Sequence, residues 1–72
     1  MDEKHIEFAI FCVESIAKDL DMDPIDIYDL LTRKSDILYN YILPSYDALH
    51  TQGKEYICEE LEGIMRERGL LS

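Results

Sequence analysis

Apolar residues recur at Ile6, Ala9, Ile10, Val13, Ile16, Ala17 and Leu20, the three-and-four spacing that a helix of about 3.6 residues per turn lays out as one stripe. This spacing predicts a helix over Glu3 to Leu20. On the same wheel Phe8, Phe11 and Cys12 fall mostly opposite the stripe, leaving Glu7, Glu14 and Lys18 as a narrow polar strip. A helix that is apolar nearly all round its middle turns has to be central in its own fold or half covered by another chain. Two exposed Phe rings would favour association, and a chain of 72 residues makes one small domain, 1–72, with no second.

The next elements follow from their end signals. Asp23 suits the cap of a second helix and Pro24 its first position, where the missing N–H is an orphan anyway. That helix is expected over Pro24 to Thr32, burying Ile27, Leu30 and Leu31, with Arg33 and Lys34 at its C-terminal end. Ser35 can cap a third helix, Asp36 to Leu43, which Pro44 stops by lacking a donor and restricting the residue before it. Ser45 to His50 fits one or two helical turns, and Thr51-Gln52-Gly53 reads as a junction. A last helix, Lys54 to Arg68, places Ile57, Leu61, Ile64 and Met65 on one face with Glu55, Glu59, Glu62 and Arg66 opposite, and Gly69 stops it. No window alternates as a strand would. The expected fold is all-α: a compact bundle of about four helices, two long and two short, without a sheet.

Composition excludes several classes. Sixteen acids against 7 bases give a net charge of -9, which repels nucleic acid and anionic lipid, so neither is an expected partner. The charge is uneven: residues 1–29 hold 9 acids and 2 bases, the remainder 7 and 5, which suits a partner with a positive surface. The longest uncharged stretch, Ile37 to Tyr46, is interrupted by Asn40 and Pro44 and falls short of the roughly 20 apolar residues of a membrane helix. The N-terminal segment lacks the basic start and long apolar run of a signal peptide, and a cytoplasmic location is expected. Two cysteines, Cys12 and Cys58, are too few for a disulfide scaffold and are expected as reduced, buried thiols.

Reactive groupings are weak. Asp19-x-Asp21-x-Asp23 opens like a calcium loop, but Pro24 and Leu30 stand where that loop needs Gly and Glu. His5, Cys12, His50 and Cys58 contain no short ligand pair for zinc, and packing explains the cysteines. Neither a metal nor a cofactor is expected, and no nucleophile motif or phosphate loop is present, so the chain is not expected to be an enzyme. The layout of the second and third helices matches a helix-turn-helix unit, yet Ile37 to Tyr41 would face DNA without a cation. Tyr28, Tyr39, Tyr41, Tyr46 and Tyr56 suit both core edges and interfaces. The candidate interaction residues are Phe8, Phe11, Tyr39 and Tyr41. The junction residues Tyr46, His50, Thr51, Gln52 and Lys54 are the place to look for a ligand.

The segments Glu7 to Glu14, Tyr28 to Leu31, Ser35 to Leu38, Tyr41-Ile42 and above all Tyr46-Asp47-Ala48-Leu49-His50-Thr51-Gln52-Gly53-Lys54-Glu55-Tyr56-Ile57 resemble the bacterial family called domain of unknown function 3791. The Leu-His-Thr-Gln-Gly stretch is the most distinctive part. The resemblance implies a short, stand-alone cytosolic protein and supplies no catalytic residue. It also implies genes beside other small proteins, some resembling ADP-ribosyltransferases, and hence an antitoxin-like or accessory binding role.

The expected function is a non-enzymatic protein–protein interaction module with an unidentified protein partner, homodimerisation being one way to cover Phe8 and Phe11. Two alternatives stay open. One is an inhibitory partner of a neighbouring ADP-ribosyltransferase-like enzyme; the other is a small ligand- or metal-binding protein using the His50–Lys54 junction.

Overall fold

The Asp2 carboxylate accepts from the Lys4 amide at 3.3 Å and opens the first helix, α1, which runs Glu3–Leu20 as its apolar spacing predicts. The structure is a computed structural model and describes residues 2–71. α1 closes in a Schellman arrangement: Asp21 is left-handed at φ 55° and ψ 48°, and the Met22 amide donates back to the Ala17 carbonyl at 2.8 Å. Glycine is the usual residue there because its missing Cβ removes the steric cost of positive φ. Asp21→Gly is therefore expected to stabilise the chain by up to about 1 kcal/mol, read as a shifted urea midpoint at unchanged slope. An unchanged or lowered midpoint would show that the Asp21 side chain contributes more than its backbone costs.

Asp23 accepts from the Ile25 amide at 2.8 Å and starts α2, Pro24–Thr32, with Pro24 in the first turn. Ile27 and Leu31 are buried and Leu30 is half-buried. Arg33 reaches back to Asp29 at 3.5 Å. Ser35 then ties the corner, its hydroxyl donating to the Leu30 carbonyl at 2.8 Å and accepting from the Ile37 amide at 3.3 Å.

The third helix differs from the expected α-helix over Asp36 to Leu43. It is a π-helix, Leu38–Ile42, with the Leu43 amide donating to Leu38 at 3.0 Å. The buried residues explain the wider turn. Ile37 and Leu38 are inside, and so are Ile42 and Leu43, two pairs five positions apart. An α-turn superposes positions four apart, whereas the i→i+5 ring of a π-turn brings both pairs onto the core. Asp36 anchors the start: it accepts from the Asn40 side chain and pairs with Arg68, whose hydrogen bond holds the Asp36 carboxyl below its ordinary value.

The chain turns at Pro44 into a single turn of helix, α3, Tyr46–Leu49, and then enters α4, Lys54–Glu67. Gly69, at φ 73°, ends α4 in a second Schellman arrangement through the Leu70 amide and the Met65 carbonyl at 2.9 Å. The architecture is all-α, and α1 lies between α2 and α4. One apolar cluster joins all the elements, from Ile16 in α1 through Ile27, Ile42 and Leu49 to Leu61 and Met65 in α4.

The buried face of α1 keeps Ala9, Val13, Ile16 and Ala17 of the stripe but is turned toward Phe8 and Cys12. Phe8, Ala9, Cys12, Val13, Ile16 and Ala17 point inward, while Ile6 and Ile10 are exposed. The helix is apolar on both flanks, so the spacing alone does not decide which flank turns inward. Packing of α4 on the Cys12 side and of Tyr46 on Phe8 leaves the Ile6 and Ile10 side open. Phe8 is thus only 8% exposed and is corrected from a surface anchor to a core residue.

Candidate functional site

Ile6, Ile10 and Val13 form one row along α1. Pro24, Ile25 and Tyr28 of α2 face them, and Leu38, Tyr39 and Leu43 close the far end. Together they line an apolar groove of about 420 Å3. Ile10 is 52% exposed and Ile25 75%, so the apolar surface is open to an occupant. Tyr28 and Tyr39 come together at the π-helix end, and the neighbouring Tyr28 phenol holds the Tyr39 phenol above its ordinary range. Such rings combine a broad apolar face with a hydroxyl that tolerates water.

The groove has an acidic border. Glu14 lines it directly, and Glu3 and Glu7 lie on the same flank of α1, three residues before Ile6 and Ile10. All three are exposed, and among the described residues none has a basic side chain within ion-pair distance. Their negative potential therefore falls on the groove mouth without neutralisation.

The expected interaction residues do not form one patch. Phe11, 41% exposed, lies on the flank of α1 away from the groove and stacks on Phe8 with ring centroids 6.4 Å apart. Tyr39 is in the groove. Tyr41 turns inward on the π-helix, half-buried, and donates to Glu60 at 3.2 Å. Burial and the Glu60 charge both push its phenol up. Ile6, Ile10, Ile25 and Tyr28 were missing from the expected set because their spacing reads equally as core.

The junction residues are likewise divided. The Tyr46 ring lies between two imidazoles, His5 at 4.4 Å and His50 at 4.3 Å, with Phe8 edge-on at 5.4 Å. This stack docks α3 on the start of α1. The His50 Nδ1 lies 2.6 Å from the Tyr46 carbonyl, and the Thr51 hydroxyl donates to Ala48 at 3.3 Å, so both serve the local turn. Gln52 and Lys54 are exposed. Lys54 instead lines a polar recess with Asp19, Glu55, Cys58 and Glu59.

Both cysteines are free and buried. Burial, and secondarily the facing Cys58 thiol, pushes Cys12 up to about 12. Cys58 is raised by burial and then by the charges of Asp19 and Glu62. Glu62 departs from its expected place on the outer face of α4: it is 5% exposed, because α1 and Asp19 lie over it. Burial first, then the facing Asp19 carboxylate, pushes its carboxyl up to about 7.

The fold and the groove define a small all-α protein with an open apolar recess and an acidic border. The chain belongs to the family described as protein of unknown function (DUF3791), whose model matches residues 7–68. No curated protein and no solved structure matches it. No helix among the described residues is long and apolar enough to cross a membrane.

Proposed function

We propose that this chain is a non-enzymatic docking module whose groove between α1, α2 and the π-helix receives a basic amphipathic helix of a partner protein. The observation that carries the reading is the juxtaposition of exposed Ile6, Ile10, Ile25, Tyr28 and Tyr39 with the unpaired acids Glu3, Glu7 and Glu14. An amphipathic helix seats apolar side chains spaced three and four apart in such a groove. Lysines or arginines on its flanks meet the acidic border, which speeds encounter and disfavours wrong partners. A second copy of the chain is the less favourable occupant, because a symmetric pairing would place two rows of glutamates around one apolar seam.

The test uses two synthetic helical peptides with identical leucines at i, i+4 and i+7, one flanked by lysines and the other by glutamates. Fluorescence anisotropy with the full chain is expected to give saturable binding of the lysine peptide, weakened at least tenfold by Ile10→Glu or Ile25→Asp and reduced by salt. The exposure of both isoleucines leaves the fold intact in these variants, checked by circular dichroism. Equal binding of the two peptides, no binding of either, or a wild-type dimer that Ile10→Glu dissociates would overturn the reading.

A further inference from the structure

We propose that Asp19, Cys58 and Glu62 form a binding site for one divalent cation of the zinc class, which ties the last turn of α1 to the middle of α4. One ligand atom from each of the three lies within 4.8 Å of the other two. Cys58 and Glu62 are four positions apart and so share a face of α4, and Asp19 meets them from α1. The site shares no residue with the apolar groove, and the proposal stands independently of the docking function.

The Glu62 carboxylate sets this group apart from an ordinary surface cluster of acids. Its Oε1 faces Arg66 at 3.7 Å, longer than a hydrogen bond, while its Oε2 is buried without any partner. A buried oxygen in that condition costs free energy unless something positive or protic reaches it. The neighbouring Asp19 carboxylate is an acceptor too, so the pair is satisfied only by a proton or a cation between them. Cys58 adds a third donor atom, its sulfur within 4.8 Å of an oxygen of each carboxylate. A dication resolves this, because thiolate and carboxylates bind it in the charged forms that repel each other in its absence.

The donor set selects the metal. One sulfur and two carboxylate oxygens match zinc, which takes thiolate at about 2.3 Å and carboxylate at about 2.0–2.2 Å and often keeps water as a fourth ligand. Calcium and magnesium prefer oxygen-only shells of about six or more ligands and gain little from a thiol. The polar recess of about 600 Å3 lined by Asp19, Lys54, Glu55, Cys58 and Glu59 supplies an entry path and room for that water.

The experiment takes the full reduced chain, stripped with a chelator, and titrates it with zinc by calorimetry and with cobalt by absorption. One equivalent is expected to bind, with a cobalt–thiolate charge-transfer band that disappears in Cys58→Ser. Zinc is expected to raise the thermal midpoint by about 5 °C or more, and Glu62→Gln and Asp19→Asn each to weaken binding at least tenfold. Asp19 is exposed, so its variant folds even where Cys58→Ser does not. No saturable zinc binding, cobalt binding without a thiolate band, or a folded Asp19→Asn chain with undiminished affinity would overturn the proposal.

Discussion

Ile16→Ala is expected to leave a large share of the molecules unfolded at 25 °C, with the helical circular dichroism signal reduced before any denaturant is added. Ile16 is fully buried at the middle of α1, in the cluster that unites α2 and α4. Truncating such a side chain costs about 2–5 kcal/mol, because transfer free energy is lost and a cavity remains. A core of this size rarely supplies more than about 3–5 kcal/mol in total. Ile25→Ala removes the same atoms from a residue that is 75% exposed and should shift stability by no more than about 0.5 kcal/mol. Equal effects of the two substitutions would contradict the packing described for α1.

Cys12 is expected to resist thiol reagents at pH 8 until the chain opens. The folded value near 12 stands above the ordinary 9.0, so the folded chain holds this proton more tightly than the unfolded one. That contribution to stability is complete below about pH 9 and is lost as pH rises toward 12, up to about 4 kcal/mol for three units at 1.36 kcal/mol each. Since reaction requires the thiolate and access, labelling should follow global opening. A core worth about 3–5 kcal/mol then protects Cys12 by roughly a hundred- to a few-thousandfold against a free thiol. Mass spectrometry of the labelled peptides measures this. Labelling of Cys12 at the rate of an exposed cysteine in a folded chain would contradict its burial, and Cys12→Ala should flatten the stability curve between pH 9 and 12.

The corners of the fold were legible because each carries its own local chemistry. Asp23-Pro24 caps α2, Ser35 ties the next turn, and Gly69 takes the left-handed position after α4. The left-handed Asp21 was less visible, since an aspartate gives a weaker signal than glycine. The groove was hidden by an ambiguity in α1: with apolar residues on both flanks, spacing shows that Ile6 and Ile10 share a face and leaves open whether that face is covered. Glu62 was misplaced for the complementary reason. On a wheel it belongs with Glu55 and Glu59, and only the crossing of α1 at Asp19 encloses it. The wide turn at Leu38–Ile42 was missed because its spacing of five, between two pairs of adjacent apolar residues, matches neither helix nor strand patterns.

That wide turn also fixes the phase of everything after it. With one residue fewer between Leu38 and Ile42 the segment would wind as an ordinary helix, and the side chains after it would rotate by about a quarter of a turn or more. Leu43 would swing off the recess it closes with Leu38, and Tyr41 would leave Glu60. The geometry of the recess thus depends on chain length here more than on residue identity: a substitution alters one side chain, whereas a deletion would rotate the whole wall.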